Sequence, residues 1–423
     1  MRFRTFIVVS LLFLLLLPFQ VQAADPPSEF FFQNNDRVVF LGDSITAQYQ
    51  YSTYIELYLT TRFPKARFLF LNAGIGGDTA NGGAGRFKSH ILDEKPTAVT
   101  INFGMNDGGY GKFNPGANRV FVEKTEAMLQ MAKAAGVRVA LCSPNAVDRR
   151  NKSNGAEYVE TQKQFYAPLR ELAENNGVPF ADQYTLTRAA TDAMEKDDPK
   201  AETAKPYYDG FHTSPPGGLL MAGAILAELK APALVSSAVI DAKTAKAETK
   251  QCQVTEVKFA DGTLRFERTD EALPLPIQKD WLPMLPYMNE LKHLNDYNLT
   301  VTNLPDGEYK VIVDGTTLGT YDAKTLAAGV NLGNITSGPL FDQANAVFAA
   351  INAKNQQVAN RFFNVVNFNA NLPAWVGDDL KAQIQERRLA ERQKLMEKIE
   401  LAQAEVFKLA QPLARKFEVR PVQ

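Results

Sequence analysis

Arg37-Val38-Val39-Phe40-Leu41-Gly42-Asp43-Ser44-Ile45-Thr46 is the stretch on which the fold turns. A β-rich apolar run, Arg37 to Leu41, gives way at Gly42 to a polar turn, and a helical pattern follows from about Ala47 to Arg62. The same unit then recurs. Arg67 to Leu71 reads as a second strand, followed by a glycine-rich loop and a helix around Arg86 to Leu92. Thr97 to Phe103 is a third strand, and Val120 to Ala135 a helix ended by Gly136. Val137 to Cys142 is a fourth strand, Gln162 to Asn175 a helix ended by Gly177, and Val178 to Ala181 a fifth strand. A last helix spans about Gly218 to Leu229. Alternating strands and helices of this length imply a parallel sheet with helices on both faces. In such sheets ligands bind outside the carboxyl ends of the strands, which is where the chemistry is expected.

The rest of the composition narrows the class. The chain has 423 residues, 45% hydrophobic and 22% charged, with a net charge of -1. That is ordinary globular composition, enough for more than one core. A near-neutral chain lacks the basic surface that phosphate backbones require, so no nucleic-acid partner is expected. Arg2 and Arg4, the apolar run Phe6 to Leu17 and the small residues of Val21-Gln22-Ala23 form a secretory signal peptide over residues 1–23. The run is short for a membrane span, and no later stretch is apolar enough to cross a bilayer. The mature protein is therefore expected to be secreted or periplasmic. Export permits a disulfide, but Cys142 ends an apolar run and reads as a small hydrophobe in a core strand. With three histidines and no clustered Cys/His spacing, no metal site or cofactor is expected.

Unusual residues gather at the strand ends: Gly42-Asp43-Ser44 after the first, Asn72-Ala73-Gly74-Ile75-Gly76-Gly77-Asp78-Thr79 after the second, and Gly104-Met105-Asn106-Asp107 after the third. Asp209-Gly210-Phe211-His212 precedes the last helix. Over residues 36–230 the chain resembles the SGNH (GDSL-like) hydrolases, whose four blocks are a Gly-Asp-Ser, a loop glycine, a Gly-x-Asn-Asp and an Asp-x-x-His. One block alone is a common turn; four in order are specific. The resemblance implies a flavodoxin-like three-layer α/β/α fold and hydrolysis of carboxylic esters.

It also implies roles. Ser44, at a strand-to-helix turn, is the expected nucleophile, which needs a base to take its proton. His90 and His293 lie in helical patterns, whereas His212 lies in a loop between Gly210 and Pro215. Asp209, three residues upstream, is placed to hold the imidazole and complete a Ser44–His212–Asp209 triad. Carried over from the family, the oxyanion donors are the Ser44 amide, the Gly77 amide and the Asn106 side chain. Gly76 remains an alternative to Gly77. Asp43 and Asp107 are expected to orient loops. Two departures from the family pattern, Ile45 and Thr213, touch no reacting atom. Other readings fail on spacing: Thr46 replaces the last glycine of a Gly-x-Ser-x-Gly elbow, and Gly74-Ile75-Gly76-Gly77 follows the second strand without a dinucleotide-binding spacing.

Beyond Leu229 alanine, lysine and proline dominate Lys230 to Lys250, which reads as linker or covering helix. Val254 to Phe259, the turn at Asp261-Gly262 and Leu264 to Arg268 form a hairpin. Further strands are expected at Leu299 to Asn303, Tyr309 to Val313 and Leu318 to Tyr321, with a tyrosine corner at Leu304 to Tyr309. Trp281 to Leu294 reads as packing rather than as substrate-binding aromatics. Four segments result: the signal peptide, a catalytic domain over 30–232, a small β-rich module over 250–330, and a helical C-terminal region over 338–423. In the last of these, Leu395, Ile399, Ala402, Val406, Leu409 and Leu413 mark one apolar stripe. That stripe is expected to dock on the protein's own surface, with self-association as an alternative, and truncation after Pro373 is expected to spare small-ester hydrolysis. The substrate class stays open among acetylated carbohydrate, lysophospholipid and thioester. A catalytically idle glycan-binding scaffold is disfavoured by the presence together of Ser44, Asn106, Asp209 and His212. Asn151, Asn298 and Asn334 begin Asn-x-Ser/Thr sites that matter only in a eukaryotic source.

Overall fold

The computed structural model of the protein describes residues 25–151, 155–368, 373 and 375–422. The signal-peptide segment lies outside them. The first half is built from β1 (Asp36–Gly42), α1 (Ser44–Ala47), α2 (Gln50–Arg62), β2 (Phe68–Gly74), α3 (Ala80–Arg86), β3 (Ala98–Asn102), α4 (Pro115–Ala134), β4 (Arg138–Cys142), α5 (Gly155–Tyr166), α6 (Pro168–Asn176), β5 (Phe180–Ala181), α7 (Gln183–Asp197) and α8 (Pro215–Glu228). The five strands form one parallel sheet in the order β2-β1-β3-β4-β5, the flavodoxin-like order expected of the α/β class. Alternate residues feed two cores. Val38, Phe40, Phe70, Ala140 and Cys142 face α2 and α8, while Val39, Leu41, Leu71, Ile101 and Leu141 face α4 and α6. Burial on both faces explains why these strands read as continuous apolar runs.

Several boundaries differ from the sequence expectation. The helix expected from Ala47 is broken at Tyr49, whose φ of 62° separates α1 from α2. The stretch expected as one helix from Gln162 is two, because Pro168 removes an N–H. Helix α7 was not expected at all. Its buried face is Gln183, Thr187, Ala190, Thr191 and Met194, in which Thr187 and Thr191 return their hydroxyls to carbonyls four residues back. Polar residues satisfied within the helix conceal the apolar period.

The second half adds β6 (Leu234–Asp241), β7 (Lys246–Lys250), β8 (Cys252–Ala260), β9 (Thr263–Asp270), α9 (Asn289–Lys292), β10 (Asp296–Thr302), β11 (Glu308–Val313), β12 (Thr316–Asp322), α10 (Ala323–Ala328), β13 (Val330–Asn331), α11 (Pro339–Arg361), α12 (Asp378–Leu409) and β14 (Arg415–Pro421). Two sheets, β13-β10-β6-β7 and β12-β11-β14-β9-β8, enclose a third core that includes Ile240, Phe266, Leu299, Val311 and Val419. The tyrosine corner forms: the Tyr309 hydroxyl donates to the Pro305 carbonyl at 2.9 Å. Trp281, Met284, Met288 and Leu291 are buried against the first core, as packing residues.

Three expectations are corrected here. Lys230 to Lys250 is no linker; it holds β6 and β7, and the β-module begins at Leu234 rather than at 250. Ser236 concealed β6, because this serine is buried and bonded to Asp270 and Arg268 inside the core. The region after 338 is not purely helical: β14 lies between β11 and β9 and closes the sandwich. Nor is the tail an appendage. Helix α11 packs on α2 and on the edge strand β2. Lys354 reaches Glu56 at 2.7 Å with both side chains buried, and Arg361 and Arg392 both bind Glu94. The docked face of α12 is Met396, Ile399, Gln403, Val406 and Phe407, rotated from the expected stripe, so that Leu409 is exposed, and Leu413 lies exposed past the end of the helix.

A chain ended after Leu413 leaves β9 and β11 without their shared neighbour and uncovers part of the third core. We expect such a truncated protein to be insoluble or to lose cooperative melting. A soluble product with the full-length melting temperature would contradict the role given to β14.

Candidate active site

Parallel pairing without stagger places Gly42 opposite both Gly74 and Asn102, so the three strands end level. The turn after β1 must then fit beside its neighbours. A Cβ at Gly42 would stand 2.1 Å from Thr46 Oγ1, and one at Gly74 would stand 2.3 Å from the Ala47 nitrogen. Both glycines are therefore steric requirements of this junction. Asp43 caps α1 by accepting from the Ile45 amide at 2.9 Å, which leaves Ser44 at the first helical position, partly exposed.

His212 closes on that serine from the other side. Its Nε2 lies 2.8 Å from Ser44 Oγ, and its Nδ1 lies 2.6 Å from Asp209 Oδ2. The other carboxylate oxygen, Oδ1, accepts from the His212 amide at 2.9 Å and the Phe211 amide at 3.2 Å. One aspartate thus fixes both the ring and the backbone turn that carries it. Partial burial raises the Asp209 carboxyl, but the bonds from the His212 ring and the two amides outweigh it and hold the group below the ordinary carboxylate range. Thr213, where the family often has proline, donates its amide (3.1 Å) and hydroxyl (3.3 Å) to Gln48 Oε1. A proline has no amide to give, so the departure creates a tie between the histidine loop and α1.

The loops after β2 and β3 are fastened to one another. Asn106 Nδ2 donates to the Asp78 carbonyl at 2.9 Å, while Tyr110 donates its hydroxyl to Asn106 Oδ1 at 2.9 Å. Asp107 Oδ1 accepts from the Ala80 amide at 3.0 Å. Arg86 makes the longest reach: its guanidinium meets Asp78 at 2.8 Å, the Ala73 carbonyl at 2.7 Å and the Gly42 carbonyl at 3.2 Å. Arg86, Tyr110 and Gln48 were not singled out from the sequence, where no spacing distinguishes them from ordinary helix and loop residues.

The amides of Ser44, Gly76 and Gly77 have no acceptor among the described residues, and one N–H of Asn106 is left over from the bond to Asp78. Gly77 has φ of 73°, which favours glycine, and a Cβ at Gly76 or Gly77 would meet nothing within 4 Å. His90 and His293 lie apart from this cluster. His90 packs edge-on to Phe362, and burial, followed by nearby arginines, pushes its imidazole down to about 4; His293 is exposed at the end of α9. Cys142 and Cys252 are both free and buried. A cavity of about 580 Å³ lies at the opposite end of the strands, against α12 around Arg37, Arg67 and Phe407, away from Ser44.

Asp43 and Asp107 orient loops through their bonds to Ile45 and Ala80, and burial pushes their carboxyls up to about 7 and about 6. A folded-state value above the unfolded one means the native state favours the protonated acid. That stability is complete below about pH 4 and is lost as pH rises through about 7. Asp43→Asn keeps an oxygen for the Ile45 amide and removes the titration. Its melting temperature relative to wild type is expected to rise between pH 4 and pH 8; a gap independent of pH would contradict the buried acid.

Residues 40–218 match the model of the GDSL-like Lipase/Acylhydrolase family. Esterase TesA of Pseudomonas aeruginosa is 32% identical over 114 residues, 26% of this chain and 51% of that protein. The match thus spans about half the length of that relative. Thioesterase 1/protease 1/lysophospholipase L1 of Escherichia coli K12 is 29% identical over 161 residues, 37% of this chain and 71% of that protein. The solved structure of a gut microbial diltiazem-metabolizing enzyme has a TM-score of 0.77 at 23% identity. The match covers 95% of this chain and 100% of that one, so the fold is shared through the sandwich and the C-terminal helices. The segment that carries the Ser44, Asn106 and His212 blocks is thus similar to the GDSL-like lipases and acylhydrolases, and the sandwich and the C-terminal helices lie outside that match.

Proposed function

We propose that the protein is an exported serine esterase in which Ser44 is the nucleophile, His212 the general base and Asp209 the residue that orients it. The unbroken hydrogen-bond chain from Asp209 through His212 to Ser44 Oγ carries this reading. In the first step Ser44 Oγ attacks the ester carbonyl as its proton passes to His212 Nε2. Asp209, held ionised, stabilises the imidazolium that results. Negative charge on the carbonyl oxygen is met by the Ser44 and Gly77 amides and by the Asn106 N–H that the Asp78 carbonyl does not take. Collapse of the tetrahedral species breaks the ester C–O bond, and His212 returns the proton to the departing alcohol. Water, activated by the same histidine, then releases the acyl group and restores Ser44.

Export rests on the N-terminal segment 1–23 and puts the substrate outside the cytoplasm, in the periplasm or the medium. The bond cleaved is a carboxylic ester, and an O-acetyl group on carbohydrate fits that location. A thioester or lysophospholipid is the second reading, favoured by the similarity to the thioesterase 1/protease 1/lysophospholipase L1 of Escherichia coli K12.

Hydrolysis of p-nitrophenyl acetate tests the assignment. Ser44→Ala and His212→Ala are expected to lower kcat by about 10⁴-fold or more while keeping the wild-type melting temperature. Asn106→Ala is expected to lower kcat by about 10²–10³-fold with little change in KM. Turnover by Ser44→Ala at the wild-type rate would refute the nucleophile.

A further inference from the structure

A groove of about 340 Å³ runs between the start of α2 and one face of α11. It opens beside the catalytic loops. Ala47, at its near end, closes the four-residue helix that begins with Ser44, so it lies only about 5 Å along the helix from the serine backbone. Gln48, also in its wall, holds Thr213, the residue after His212. On α11 the lining residues Phe348, Asn352, Asn355, Gln356 and Ala359 recur at helical spacing and form one face, which Phe363 continues just past the end of the helix, while Val347, Ile351, Lys354 and Val358 are buried on another. Helix α11 lies outside residues 40–218, so the C-terminal region builds this wall, and the family domain supplies the other.

The chemistry of the lining is unusual for a helix–helix groove. Five carboxamides face it: Gln48, Gln50, Asn352, Asn355 and Gln356. Four aromatic rings, Tyr49, Tyr54, Phe348 and Phe363, stand among them, and none of the residues lining this groove is charged. Gln50, Asn352 and Gln356 make no side-chain hydrogen bond to another described residue. Phe363 is 45% exposed. A carboxamide donates and accepts at once, as a hydroxyl does, and an aromatic face suits the C–H surface of a ring. A phosphate would find no counter-charge here, and a long acyl chain would cover the unpaired carboxamides of Gln50, Asn352 and Gln356.

We propose that this groove is the leaving-group subsite and that it takes the alcohol portion of the ester as a neutral, polyhydroxylated ring, that is, a carbohydrate unit. The inference rests on the esterase reading and narrows it: the acyl group sits at Ser44, and α11 selects the alcohol.

The test compares kcat/KM for partly acetylated xylo-oligosaccharides with kcat/KM for p-nitrophenyl acetate, in the full-length protein. Wild type is expected to prefer the acetylated oligosaccharide to lysophosphatidylcholine. Asn352→Ala/Gln356→Ala removes two paired donors and acceptors, and the ratio of oligosaccharide to p-nitrophenyl acetate activity is expected to fall about tenfold or more. Gln356→Trp, which fills the groove from an exposed position, should lower the same ratio and raise KM for the oligosaccharide. An unchanged ratio in both variants, or wild-type preference for the lysophospholipid, would overturn the subsite while leaving Ser44-dependent ester hydrolysis in place. Loss of Ser44 dependence in p-nitrophenyl acetate hydrolysis would instead overturn the esterase reading on which the subsite rests.

Discussion

The level pairing of β1 with β2 and β3 is the constraint from which the site follows. With Gly42 beside Gly74 and Asn102, three loops leave the sheet at one height, and each carries one kind of group: a hydroxyl, a set of free amides, a side-chain amide. Side chains cannot be accommodated at that junction, since a Cβ at Gly42 would also stand 2.6 Å from the Asn102 carbonyl. Arg86 then binds the carbonyls at the ends of β1 and β2 and the Asp78 carboxylate in a single cation. The result is that the loops after β1 and β2 are fixed to one another through one side chain.

The C-terminal helices close the same structure from outside. A parallel sheet exposes an edge at β2, and α11 lies against it, which protects the unpaired backbone. The Lys354–Glu56 pair is fully buried between α11 and α2, with Gln403 of α12 at 3.3 Å from the ammonium. Burial raises the Glu56 carboxyl and lowers the Lys354 ammonium, so the contact fixes geometry at the cost of desolvating two ions. Removing either partner would strand the other, a loss of about 3–5 kcal/mol in such cases. The chain thus returns twice to its first half, once as α11 and α12 on the catalytic sheet and once as β14 in the sandwich.

Much of the catalytic layer was legible because burial on both faces leaves little ambiguity in Val38 to Leu41 or Val99 to Ile101. The four blocks were legible because their residue types are rare together at strand ends. What escaped was polar and long-range. Helix α7 and strand β6 hide buried threonines and Ser236 whose partners lie in the helix's own backbone or on another strand. The place of β14 was unreadable for a different reason: Lys416, Phe417, Glu418 and Val419 alternate over too short a stretch to announce a partner some 100 residues upstream. Arg86 and Gln48 are ordinary in sequence, and their importance lies wholly in what the fold brings to them.

The central claim is that Ser44 is an activated nucleophile, with His212 drawing its proton. Reaction with a fluorophosphonate probe, followed by peptide mass mapping, tests it most directly because such reagents modify only hydroxyls made nucleophilic by a base. The account predicts one adduct per chain, on Ser44, that disappears in His212→Ala. An adduct on any other residue, or labelling of Ser44 that survives removal of His212, would contradict it.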